Sequence, residues 1–167
     1  MTQAPLAPAG DPEIARIVTL VRSITLAVDL EAYDLARRAF AEKVVVDYIS
    51  LWGGAPMQTT PDGLMAAWQA LVPGFDTTWH ELTDLAAEIT GEEASARARV
   101  DARHWIDDQL WRPVGSYLWR LRKIAGAWKV THMVFTLAAE TGDRALAERA
   151  AKRAAERAAQ RAAPTRA

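Results

Sequence analysis

Three histidines, His80, His104 and His132, are the side chains in this sequence best suited to moving protons near neutral pH. Each sits in an extended segment where alternate residues share a face. His80 lies between Trp79 and Glu81 and alternates with Thr78 and Leu82, so it can point inward. His104 shares its parity with Ala98, Val100 and Ala102, while Arg97, Arg99, Asp101 and Arg103 take the other face. His132 falls in an inward series with Trp128, Val130 and Val134. A single histidine among apolar residues is ordinarily a satisfied core residue. Three on inward parities are more than a core of this size needs, so at least one of His104 and His132 is expected to line a pocket, His104 first. Zinc bound by the three histidines with Asp29 has no supporting spacing motif, and no metal is expected.

Phenols and aromatics complete the candidate set. Tyr48 alternates with Val44 and Val46, which turns it inward as either a core residue with a hydrogen-bond partner or an oxyanion donor. Tyr117 and Trp119 lie on the bulky apolar face of a hairpin, GSYLWRLRKIAGAWKVTHMVF, and are candidate ligand contacts. Asp29 follows Val28 at the edge of an apolar helical stripe. Read by itself, it is equally a cap for the helix that comes next.

The elements that must position these groups can be read from punctuation and period. Residues 1–10 hold two prolines and a glycine and read as a disordered leader. Asp11-Pro12-Glu13 is a helix start, and Ile14, Ile17, Val18, Val21, Ile24 and Val28 recur at helical spacing behind it. A second helix is expected from Tyr33 to Ala41, a strand over Val44–Ile49, and a third helix from Thr60 to Leu71, ended by Pro73-Gly74. Extended segments follow over 78–89, 94–106 and the hairpin, whose inward face carries Trp128, Val130, His132 and Val134 against Lys129, Thr131 and Met133. From residue 139 the chain turns to alanine and arginine, an intrinsic helix former that buries little beyond Leu146 and reads as a solvated tail. Helices followed by strands define an α+β domain over residues 11–138, an antiparallel sheet curled around the helices into a cone. The open mouth of such a cone is the place for a small ligand.

Composition narrows the function classes. The net charge is −1, with +3 placed from Glu140 onward and −4 before it, which marks no nucleic-acid surface. Cysteine is absent, excluding disulfides and thiolate chemistry, and no signal-peptide pattern or spanning apolar run occurs, so a cytoplasmic protein is expected. Seven tryptophans point to an aromatic-rich core or pocket. Glycine-rich phosphate loops and serine-hydrolase elbows are missing.

The order of these pieces resembles the SnoaL-like branch of the nuclear transport factor 2-like superfamily, closest to the scytalone dehydratases. The resemblance rests on Asp29, AYDLARRAFAEKVVVDY (residues 32–48), TTWHEL (77–82), ARHW (102–105) and GSYLWRLRKIAGAWKV (115–130), and spans about residues 14–136. It implies a catalytic histidine at His80 supported by Asp29, with Tyr48 polarising a substrate carbonyl. The family's second tyrosine position is Val28 here, its second catalytic histidine falls at Ala98, and its hairpin carboxamide falls at Tyr117. His104 or His132 would then return the proton. The resemblance further implies cofactor-independent dehydration or isomerisation of an apolar, oxygenated aromatic molecule, and a homodimer. A non-catalytic binding or assembly module of the same fold is the alternative. Limonene epoxide hydrolases, on the same cone, use an arginine and aspartate two apart with a second aspartate on the hairpin. Arg99 and Asp101 match the first pair, but the third position falls at Val130, and parity makes the pair a surface ion pair.

Overall fold

Asp11 opens the first helix as expected, its carboxylate accepting from the Glu13 amide at 2.8 Å with Pro12 next in line. A computed structural model describes residues 10–162, so nearly all of the expected leader, residues 1–9, lies outside the described residues, as do 163–167. Helix α1 (Pro12–Asp29) buries Ile17, Val21, Ile24 and Val28 along the stripe that the periodicity predicted. It is followed by α2 (Tyr33–Arg37), β1 (Phe40–Asp47), α3 (Ile49–Trp52), β2 (Met57–Thr59) and α4 (Pro61–Gln69). A 3-10 turn over Val72–Gly74 leads into β3 (Thr77–Thr90), β4 (Glu93–Ile106), β5 (Gln109–Ile124), β6 (Ala127–Gly142) and α5 (Ala145–Ala162). The fold is α+β, with one six-stranded, curved and unclosed sheet in the order β2-β1-β6-β5-β4-β3. All neighbours run antiparallel except β1 and β6, which are parallel.

Four local expectations need correcting. The second helix stops at Arg37, because the Ala39 carbonyl accepts from the Val130 amide at 2.8 Å and draws the following residues into β1. Pairing with β6 overrides the helical spacing there. Ile49 belongs to α3, with the Asp47 carboxylate accepting from its amide at 2.9 Å. Tyr48 is therefore the residue between strand and helix. The short edge strand β2 follows Pro56 and was not legible as a strand.

The β5–β6 hairpin turns through Ala125 and Gly126, both at positive φ (48° and 80°), which is the geometry of a primed two-residue turn. Its register slips twice, between Val114 and Gly115 and, nearer the turn, between Arg120 and Leu121, where Leu121 pairs with Val130 but Arg120 pairs with His132. Thr131 is the extra residue of a β-bulge. Beyond it the parity of β6 reverses, so Met133 and Phe135 are buried while His132 is exposed. The expectation that His132 and Val134 face inward is overturned by that one residue.

Helix α5 is not a solvated tail. Leu146, Ala147, Ala150 and Ala154 are buried, and the small side chains let the helix backbone approach the 3-10 turn. A Cβ placed on Gly74 would stand 1.7 Å from the Ala150 carbonyl oxygen. Gly74→Ala should therefore unseat α5 and cost about 1–3 kcal/mol, read as a thermal midpoint lowered by several degrees. An unchanged midpoint would show that this contact does not hold the helix.

Candidate active site

Asp29 is the last residue of α1, and its carboxylate is bound entirely by β3. Oδ1 accepts from Thr78 Oγ1 at 2.8 Å and lies 2.6 Å from His80 Nδ1, and Oδ2 accepts from the His80 amide at 2.8 Å. The Asp29 side chain is 6% exposed and that of His80 12%. Burial works to raise the Asp29 pKa, but the bonds from His80 and Thr78 outweigh it and leave the carboxyl below its ordinary value. The carboxylate is thus ionised and fixes His80 with its Nδ1 proton inward, leaving Nε2 for the pocket that His80 lines. Asp29 does not cap the second helix, whose cap residue is Ala32 without a side-chain bond.

The pocket opens among α1, α3, α4, the 3-10 turn and the inner face of the sheet. Its space is about 110 Å³, of the order of the apolar cavity of about 150 Å³ that binds benzene. Val28, Tyr48, His80, His104 and Tyr117 all line it, together with Trp52, Trp68, Phe75, Trp111, Met133 and Phe135. The seven tryptophans pointed to an aromatic-rich core or pocket, but Thr78 and the individual residues of this wall were not singled out from the sequence. Thr78 shares the parity of His80 two residues before it, which is the signal that could have found it. Trp111 lies before Pro113, in a stretch that did not read as strand.

Other expected residues fall elsewhere. His132 is on the opposite face of β6, its Nδ1 3.1 Å from Thr131 Oγ1. Trp119 is wholly buried and does not line the pocket; it stacks behind Tyr117, with ring centroids 5.1 Å apart. Arg99 is exposed, and Asp101 instead bonds Arg112 at 2.6 Å and Arg103 at 2.7 Å outside the pocket. The epoxide-hydrolase arrangement is therefore not assembled. Among the described residues no group of three histidine, cysteine or acidic side chains is placed to hold a metal ion.

His104 is 7% exposed and packs edge-on against His80, with ring centroids 5.2 Å apart. Its Nδ1 lies 3.4 Å from the Trp111 carbonyl oxygen. A carbonyl only accepts, so the ring proton belongs on Nδ1 and Nε2 is bare. Burial, and then the charge of nearby His80, press its pKa down to about 3. A ring so held is neutral near pH 7, with its proton on the side of the Trp111 carbonyl. Tyr48 and Tyr117 are pushed up mainly by burial, Tyr117 further by Tyr48 beside it, so both phenols keep their protons.

These elements enclose a pocket with the Asp29–His80 pair at its wall, inside a helix-filled curved sheet of nuclear transport factor 2-like fold. The SnoaL-like domain family matches residues 12–134, and the chain belongs to that family. Protein Kfla4162 from Kribbella flavida is 27% identical, with a TM-score of 0.75 over 80% of this chain and 95% of that one. A Novosphingobium aromaticivorans protein provisionally named scytalone dehydratase is 18% identical (TM-score 0.69, covering 80% and 89%). Hexachlorocyclohexane dehydrochlorinase LinA-type3 from Novosphingobium barchaimii is 16% identical (TM-score 0.66, covering 78% and 89%). At such identities these two likenesses are of fold. Comparison with curated proteins finds no significant sequence match. No helix among the described residues is long and apolar enough to cross a membrane.

The buried histidine makes stability depend on acid. His104 binds a proton less readily folded than unfolded, so its stability contribution is complete above about 6.5 and falls away as pH drops toward about 3. Asp29, depressed in the fold, adds a loss in the same direction only below its ordinary value of 3.8. Urea unfolding at about pH 7 and about pH 4.5 should show the wild-type chain losing on the order of 2 kcal/mol more than His104→Phe. Equal losses would mean that His104 is not held neutral.

Proposed function

We propose that the chain is a cofactor-independent acid–base enzyme that eliminates water from, or isomerises, an oxygenated aromatic or polycyclic small molecule. The observation that carries this reading is the Asp29–His80 contact of 2.6 Å at the wall of an otherwise apolar pocket. A buried carboxylate behind the ring fixes its tautomer and favours the imidazolium that a general base must become. Two structural neighbours bear the names dehydratase and dehydrochlorinase, both words for eliminations.

For a β-hydroxy ketone, His80 Nε2 takes the proton alpha to the carbonyl, and Asp29 stabilises the imidazolium that forms. The bonding pair passes into the carbonyl as an enolate, whose oxygen accepts from the Tyr48 hydroxyl. Collapse of the enolate breaks the carbon–oxygen bond at the β position. His80 then gives its proton to the departing hydroxide, leaving water, the unsaturated ketone and a neutral imidazole. One histidine serves as base and then acid, which fits a second histidine, His104, that is held neutral. The bare Nε2 of His104 accepts from the substrate hydroxyl and orients it. Tyr117 and Val28 complete the walls. Family resemblance and composition support a cytoplasmic homodimer.

The test is dehydration of hydroxylated aromatic ketones, followed by ultraviolet absorbance of the conjugated product. His80→Ala should lower kcat about 10²–10⁴-fold, and Asp29→Asn should lower kcat with KM little changed. Turnover that survives His80→Ala would hand the pocket to a binding module instead.

A further inference from the structure

The family match ends at residue 134, yet the chain beyond it reaches back to the pocket. Trp111 donates its indole N–H to Glu140 Oε1 at 2.5 Å. Arg144, one residue before α5, grips that same carboxylate with a fork: Nε to Oε1 at 2.8 Å and Nη2 to Oε2 at 2.8 Å. Its remaining nitrogen, Nη1, donates to the Leu51 carbonyl at 2.9 Å, and the guanidinium stands 5.8 Å above the Trp52 ring. One side chain therefore ties together the backbone and ring at the end of α3 and the indole on β5.

Those two indoles meet in the pocket wall at a tilt of 44°, with ring centroids 5.5 Å apart. Helix α3 is anchored at its start by Asp47, whose carboxylate accepts from the Ile49 amide at 2.9 Å, and by Ser50, which donates to the Phe135 carbonyl at 2.8 Å. Trp52, at its last residue, remains 46% exposed. Trp111, by contrast, is 1% exposed, and Glu140 is the partner its N–H finds. A planar, five-donor guanidinium is the group suited to hold a carboxylate, a carbonyl and a ring face together.

We propose that Arg144 is a positioning residue that sets ligand selectivity: by fixing Trp52 and Trp111 as a rigid aromatic wall, it makes the pocket prefer a flat ring to a saturated one. Flat rings gain from offset stacking on fixed indoles, and puckered rings do not. The proposal rests on the pocket of the preceding reading being the ligand site, but not on any chemistry there.

The experiment is calorimetric titration with 4-hydroxyacetophenone and with its saturated counterpart, 1-(4-hydroxycyclohexyl)ethanone. The wild-type chain should bind the aromatic ligand roughly five- to tenfold more tightly than the saturated one. Arg144→Ala should erase that ratio by weakening the aromatic ligand alone, and Arg144→Lys, keeping charge without the fork, should restore part of it. Glu140→Gln keeps an acceptor for Trp111 but loses the ion pair, and serves if Arg144→Ala does not fold. Its ratio should fall between the two. A ratio equal in wild type and variants, or no preference in the wild type, overturns the proposal. Because only binding is read, an unmoved ratio with a normal His80→Ala loss of turnover removes this inference and spares the acid–base reading. The opposite pair of results spares this inference and removes that reading.

Discussion

A carboxylate taken out of water must be repaid by donors, and Asp29 is the carboxylate on which this structure turns. It sits at the carbonyl end of α1, where the helix dipole already disfavours negative charge. Three donors from β3 outweigh that: a threonine hydroxyl, a backbone amide and an imidazole. The same bonds that satisfy the acid fasten the end of α1 to the edge strand and turn His80 toward the pocket. Position and tautomer of the candidate base thus come from one interaction rather than from separate devices.

Around that pair the walls are mostly apolar, which strengthens whatever polar contacts a ligand makes. The cost is borne by His104, a second imidazole that stays uncharged because the aromatic stack of Phe75 and Trp111 encloses it, with centroids 4.9 Å and 4.6 Å away. Two histidines in contact are thereby given different duties by their surroundings: one backed by a carboxylate, the other by a carbonyl. Helix α5 supports this wall from behind. Arg153 bonds Asp76 at 2.6 Å, next to Phe75.

How far this could be read from the chain depended on whether local pattern or distant pairing decided each residue. α1 follows from its cap and its apolar period, and β3 and β4 follow from alternation, so Asp29, His80 and His104 stand where their spacing put them. The pairing of Asp29 with His80 came from family resemblance, since nothing local joins residues 51 apart in the chain. His132 was misplaced because a single bulge residue, Thr131, leaves no compositional mark yet reverses the side chains that follow it as far as the second slip at Ala138. Trp119 was rightly inward but lies behind Tyr117, a matter of depth that parity does not encode. α5 looked solvated because its buried face is alanine. Its value lies in how closely the backbone can approach Gly74, which hydropathy does not register.

The central claim is that Asp29 prepares His80 as a base whose free nitrogen is Nε2. Nitrogen-15 NMR of the histidine rings, at a mildly alkaline pH where imidazoles are neutral, reads this directly. The account predicts a His80 ring with its proton on Nδ1 and a bare Nε2, shifting toward an even mixture in Asp29→Asn. A His80 ring protonated on Nε2 in the wild-type chain would contradict it.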